Sequence, residues 1–215
     1  MDVKGAYLNG KLEEEVYMRQ PEGFIKEGEQ ELVCKLNKGV YGLKQSRRVW
    51  HQLLKSQLEK IGFVPGEADS TVFFQFGDKG SIAIAGWYID DGLLAANSIE
   101  SMERMVVDIR GSFDIQDLGE PEQLLGIQIT RNRSLSTIHI SQPSFISTIA
   151  KRFNISPGRS ITSPMDHSVD LHVATNEDDT VDVPYASLIG SINYCAVSTR
   201  PDISYATNRC AQFIS

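Results

Sequence analysis

Two adjacent carboxylates, Asp90 and Asp91, stand between apolar runs in Gly86-Trp87-Tyr88-Ile89-Asp90-Asp91-Gly92-Leu93-Leu94. Both flanks have strand character, so the pair falls at the tip of a hairpin. Asp-Asp-Gly is ordinary turn chemistry that keeps charge in water. The same arrangement also presents carboxylates to hard divalent cations. Clustered carboxylates repel one another, and a magnesium ion removes that repulsion while keeping open positions for substrate oxygens. Phosphoryl transfer at two metals about 3.5–4 Å apart uses such a cluster, with a further carboxylate from another strand. Asp2, in Asp2-Val3-Lys4-Gly5-Ala6-Tyr7-Leu8, is the candidate for that third group. Alone it would read as a solvated charge near a terminus; beside the hairpin it completes a set.

The elements that must position these residues follow from pattern and punctuation. Residues 1–8 read as the end of a strand, with Asn9-Gly10 as the turn after it. Val16-Tyr17-Met18 and Leu32-Val33-Cys34-Lys35-Leu36 read as short strands. Between Arg47 and Ile61, the apolar residues Val49, Trp50, Leu53, Leu54, Leu58 and Ile61 recur at three- and four-residue steps, one face of a helix stopped at Gly62. Thr71–Phe76, Ser81–Tyr88 and Gly92–Ala96 are strand-like, and Asn97 with Glu100 has the form of a capping box opening a helix that ends at Gly111. Leu124–Thr130 and Thr137–Ser141 form a hairpin pattern. Pro143 suits the first turn of a helix, residues 156–183 read as a surface connection, and helical patterns return over Tyr185–Val197 and Pro201–Phe213. The fold class is α+β, with a mixed body followed by a mostly helical tail.

The net charge of −7 argues against a simple nucleic-acid binder, but the charge is unevenly spread. Residues 1–31 hold eight acids and four bases, whereas residues 32–60 hold seven bases and only Glu59. That basic block is either a phosphate-facing surface or a solvated helix face. No apolar run is long enough to cross a bilayer, and Met1-Asp2-Val3-Lys4 lacks the apolar core of a signal peptide. Cys34, Cys195 and Cys210 are widely spaced with no CxxC pair and fit reduced thiols in an intracellular protein. His51, His139, His167 and His172 show no metal-ligand spacing and read as solvated side chains.

Together, the two aspartate segments resemble the first and third core motifs of reverse transcriptases, Asp-x-x-x-x-Tyr and Tyr-x-Asp-Asp. Further matches point to the copia-type retrotransposon branch. They include Ala6-Tyr7-Leu8-Asn9-Gly10, Gln20-Pro21-Glu22-Gly23-Phe24, Val40-Tyr41-Gly42-Leu43-Lys44-Gln45, Asp117-Leu118-Gly119 with Leu125-Gly126-Ile127, and Tyr185-Ala186-Ser187-Leu188-Ile189-Gly190-Ser191 with Thr199-Arg200-Pro201-Asp202. They occur in family order along nearly the whole chain.

The resemblance implies a right-hand polymerase palm, an antiparallel sheet with helices on one face, over residues 1–141, with a partial fingers segment at about 9–40. A truncated, mostly helical thumb or connection would occupy residues 142–215. It further implies that Asp2 and Asp90 hold two Mg2+ ions (Mn2+ being a substitute), with the Val3 carbonyl as an extra ligand and Asp91 completing the set. Tyr7 would lie under the sugar of the incoming deoxynucleoside triphosphate and exclude a 2′-hydroxyl, and Gln45 would touch the same nucleotide. Tyr88, Leu125 and Gly126 would contact the primer, and Arg47, Arg48 and Lys55 the phosphates of the RNA template or DNA primer. By the same resemblance the chain would work inside a cell, in a cytoplasmic virus-like particle or the nucleus, with the integrase and RNase H parts of a Gag-Pol polyprotein and with no membrane. Three departures stand out: Ile89 where the family usually has valine, Gln116 where many relatives have lysine, and only Met1 ahead of Asp2. The last leads to the expectation of a truncated fragment with weak or no activity alone. An inactive or domesticated nucleic-acid-binding remnant is the alternative.

Overall fold

A computed structural model of the chain describes residues 1–156, 158, 162–166, 168, 171–172 and 184–214. It divides into two compact units, Met1–Glu120 and Pro121–Ser215. The first contains β1 (Asp2–Val3), α1 (Ala6–Asn9), β2 (Lys11–Arg19), β3 (Val33–Lys38), α2 (Lys44–Lys60), β4 (Val64–Pro65), β5 (Val72–Phe76), β6 (Ile82–Tyr88), β7 (Asp91–Ala96), α3 (Ile99–Ser112) and β8 (Ile115–Gln116). The second contains β9 (Gln123–Leu124), β10 (Ile127–Asn132), β11 (Thr137–Ser141), α4 (Pro143–Arg152), α5 (Tyr185–Ser198) and α6 (Ser204–Ala211). The class is mixed α+β, with antiparallel sheets and helices.

Parity organises the first unit. Six antiparallel strands run in the order β4-β5-β6-β7-β1-β8. Along β6, Ala83, Ala85 and Trp87 are buried while Ile82 and Tyr88 are exposed, the period-2 signature of a sheet with one covered face. The buried set, with Phe73 of β5 and Val3 of β1, packs against Trp50, Leu54 and Leu58 of α2 and Met105 and Ile109 of α3. Burying each large apolar side chain contributes about 1.5–3 kcal/mol. The helical periodicity read between Arg47 and Ile61 therefore named the face that covers the sheet. Strands β2 and β3 form a separate two-stranded hairpin.

Two local expectations are corrected. The strand expected over residues 1–8 stops at Val3, because Gly5 takes φ +58° and turns the chain into α1. There Asn9 closes the short helix, its Nδ2 donating to the Gly5 and Ala6 carbonyls. The capping residue of α3 is Ser98 rather than Asn97, since the Ser98 hydroxyl accepts from the Ser101 amide at 3.1 Å. Asn97 is occupied in the sheet instead, accepting from the Ile82 amide and donating to the Gly80 carbonyl. The helix also runs one residue past Gly111, to Ser112.

In the second unit β9, β10 and β11 form a three-stranded antiparallel sheet. Leu125 and Gly126 join β9 to β10 with φ values of 50° and 80°, both positive as a type I′ turn requires. A leucine in that region costs about 1–2 kcal/mol, because its Cβ crowds the following carbonyl. The Tyr194 hydroxyl of α5 donates to the Leu125 carbonyl at 3.4 Å. His167 and most of the surface connection expected over residues 156–183 lie outside the described residues. Among the described residues no helix is long and apolar enough to cross a membrane, and all three cysteines are free.

Candidate active site

The hairpin between β6 and β7 has a two-residue loop, Ile89-Asp90, because Tyr88 and Asp91 are register partners. Its first residue carries φ +59°, and Asp90 is not among the residues with positive φ, the pattern of a type II′ turn. Glycine is the usual occupant of that place. A β-branched isoleucine there is strained, on the order of 1–3 kcal/mol, and stays only where its surroundings fix it. Two contacts do so. The Ile89 side chain packs against the core, and the indole Nε1 of Trp50 donates to the Ile89 carbonyl at 2.7 Å.

The short strand β1 lies beside this tip. Asp2 is the register partner of Asp91 on one side and of Gln116 on the other. Directly opposed residues have Cα atoms about 4.5–5.5 Å apart and share a face. Val3 is buried toward the helices, so Asp2 faces the open side of the sheet, and Asp91 faces it with Asp2. The Val3 amide donates to the Asp90 carbonyl and the Gly92 amide to the Met1 carbonyl, both at 2.9 Å. Gly92 is required for close approach: a Cβ there would stand 2.7 Å from the Trp87 ring. Three aspartates from two segments some ninety residues apart thus lie at one end of the sheet.

No lysine or arginine among the described residues pairs with Asp2, Asp90 or Asp91. Asp90 instead accepts a hydrogen bond from the Tyr41 hydroxyl at 3.0 Å. Partial desolvation, and then the Asp90 carboxylate, hold the Tyr41 phenol above its ordinary pKa, so it remains a donor at neutral pH. The Tyr41 ring in turn packs on Tyr7, with centroids 4.7 Å apart. Tyr7 is only 9% exposed.

Beside the hairpin, a cavity of about 630 Å³ opens between α2 and the sheet. Lys44, Arg47 and Arg48 bring positive charge to it, Asp69 a negative charge, and Trp87 and Tyr88 aromatic surface. Arg48 also pairs with Glu14 at 2.8 Å. Gln45 lies on the first turn of α2, partly exposed. Lys55 stands farther along the helix and pairs with Glu59 at 3.8 Å, away from the cavity lining. Leu125 and Gly126 belong to the second unit. Neither Trp50 nor Tyr41 carries a site signal in the sequence, since Trp50 falls on the apolar face of a helical pattern and Tyr41 within Val40-Tyr41-Gly42-Leu43-Lys44-Gln45.

As a donor set the three carboxylates fit a hard divalent cation: all-oxygen, partly exposed and unneutralised by protein cations. Among the described residues no group of three or more histidine, cysteine, aspartate or glutamate side chains is arranged so that it could hold a metal ion as a ready-made cage. Magnesium does not need one, because it binds through one or two carboxylates and completes its shell with water and substrate phosphates.

A family model described as reverse transcriptase (RNA-dependent DNA polymerase) matches residues 1–167. The chain is 34% identical over 220 residues to the retrovirus-related Pol polyprotein from transposon TNT 1-94 of Nicotiana tabacum, covering all of this chain and 17% of that protein. It is 36% and 33% identical to the Pol polyproteins of transposons RE1 and RE2 of Arabidopsis thaliana, again over the whole chain and 14% of each. The chain therefore spans a small part of the length of these relatives. No solved structure matches it. The carboxylates, their spacing and these matches agree: the chain belongs to the reverse transcriptase (RNA-dependent DNA polymerase) family, in its copia-type retrotransposon branch.

Proposed function

We propose that this chain is a palm, with a thumb-like helical segment, of an RNA-directed DNA polymerase that works within a longer Pol polyprotein. The observation that carries the reading is the register of Asp2 opposite Asp91, with Asp90 on the adjoining turn. Asp2 and Asp90 would hold two Mg2+ ions, Mn2+ being a substitute, with the Val3 carbonyl and Asp91 as further oxygen donors. Bound there, the ions would lower the pKa of a primer 3′-hydroxyl and neutralise charge on the triphosphate and its pyrophosphate. The chain's own residues contribute alignment, since in-line attack depends on holding the hydroxyl and the phosphorus in register. Tyr88, exposed on the face that Asp91 shares, would meet the primer end, and Leu125-Gly126 of the second unit the primer strand. Gln45 would contact the incoming nucleotide. Arg47 and Arg48 at the cavity, with Lys44 beside them and Lys55 farther along α2, would hold template or primer phosphates, which set affinity without reading sequence.

The deciding experiment is primer extension on an RNA template with Mg2+, with the chain alone and with the chain joined to the upstream segment of a related Pol polyprotein. DNA synthesis in at least one form supports the reading. No synthesis in either form overturns it. Placement in a virus-like particle or nucleus, beside integrase and RNase H segments, follows from the same reading.

Tyr7 gives a separate test of substrate choice. Its ring, backed by Tyr41, would fill the space that a ribose 2′-hydroxyl needs, so discrimination rests on steric exclusion. Tyr7→Ala is expected to raise ribonucleotide incorporation relative to deoxynucleotide on the order of tenfold or more. Paired single-nucleotide extension rates with each triphosphate measure this. An unchanged ratio removes Tyr7 from the sugar site.

A further inference from the structure

We propose that Tyr41 is a positioning residue for the metal-binding site, fixing the Asp90 carboxylate through its hydroxyl and the Tyr7 ring through its own ring. The inference rests on the reading of Asp2, Asp90 and Asp91 as metal ligands and adds a residue that the family motifs do not assign here. Tyr41 is 55% exposed, yet it makes two directed contacts: the hydroxyl on Asp90 at 3.0 Å and the ring on Tyr7 at 4.7 Å. It therefore joins the carboxylate side of the site to the nucleotide side in one rigid piece.

The loop that carries Tyr41 is itself held. The buried Ser46 hydroxyl donates to the Val40 carbonyl at 2.7 Å, and the Leu43 amide donates to the same carbonyl. Gly39 is packed so closely that a Cβ would stand 2.8 Å from the Ser46 hydroxyl and 2.9 Å from the Tyr7 carbonyl. Asp90, by contrast, sits on a two-residue turn and is partly exposed. Among the described residues Tyr41 is the donor given to that carboxylate. An ionised carboxylate offers about four lone-pair sites and a phenol uses one, so orientation by Tyr41 leaves room for a cation. Hydrogen-bond partners of ligating carboxylates orient them, and losing one typically weakens metal binding about 10–100-fold.

The test is Mn2+ binding to the purified chain without nucleic acid, read from the electron paramagnetic resonance signal of free Mn2+. Tyr41→Phe keeps the ring and removes the hydroxyl. It is expected to weaken Mn2+ binding about tenfold or more, with the melting temperature unchanged and the ribonucleotide ratio retained. Tyr41→Leu removes both contacts and should raise ribonucleotide use as well. If Asp90→Asn weakens Mn2+ binding while Tyr41→Phe binds as tightly as the unaltered chain, or more tightly, the positioning role falls and the metal site stands. If neither variant changes Mn2+ binding, the metal-site reading and the positioning role fall together.

Discussion

Asp90→Asn is expected to lower RNA-templated primer extension about a thousandfold or more, while the melting temperature stays level or rises slightly. The substitution is isosteric and still offers the Tyr41 hydroxyl an oxygen to donate to, so the hairpin keeps its shape. What it removes is charge. A carboxylate-held metal site supplies several kcal/mol of transition-state stabilisation, and about 4 kcal/mol corresponds to about a thousandfold in rate. Folding does not suffer, because Asp90 stands beside Asp2 and Asp91 and none of the three is paired with a lysine or arginine among the described residues. Loss of one like charge relieves repulsion. Extension within about tenfold of the unaltered chain, at equal stability, would remove Asp90 from the chemistry.

The largest structural effect is expected at Trp50. It is 2% exposed, meets the Phe113 ring edge-on at 5.2 Å and donates to the Ile89 carbonyl. Trp50→Ala is expected to cost about 3–5 kcal/mol, through lost burial and the cavity left behind. Small domains hold only about 5–15 kcal/mol in total, so the variant should be partly unfolded at moderate temperature. Urea denaturation followed by far-UV circular dichroism checks this. Trp50→Phe separates packing from the hydrogen bond: most of the ring remains, and the Ile89 carbonyl loses its donor at about 1 kcal/mol. Because that carbonyl belongs to the strained residue next to Asp90, extension activity should fall further than stability does. Equal losses in both would make Trp50 a core residue and nothing more.

Much of the fold was legible in the sequence because it obeys simple periods. The three-and-four spacing of Val49, Trp50, Leu54 and Leu58 gave the helix and its inner face, and the apolar runs on either side of Asp90-Asp91 gave the hairpin. Failures came where long-range demands overrode local preference. Asn97 has the look of a cap, but sheet hydrogen bonds claim its side chain and Ser98 takes the role. Strand character near the N-terminus ended at Val3, because the positive φ of Gly5 starts a helical turn.

The carboxylates were also legible, as residue types at motif spacing, whereas the residues that aim them were not. Ile89 is a poor choice for positive φ on local grounds, so no propensity argument would place it there. The bond from Trp50 to its carbonyl spans thirty-nine positions, and the bond from Tyr41 to Asp90 spans forty-nine. Neither contact has a sequence period. Supporting contacts of this kind emerge only once the chain is folded.

The parity of the β7-β1-β8 rungs carries a consequence for how this end of the chain tolerates change. Val3 turns inward and Asp2 outward on a strand only two residues long. A single-residue insertion between Val3 and Gly5 would shift the strand by one rung, turning the acid toward the apolar interior and the valine toward water. A two-residue change restores the original facing but takes Asp2 off the rung it shares with Asp91. The spacing between Val3 and Gly5 is thus set twice, by the facing of Val3 and by the rung that Asp2 shares with Asp91.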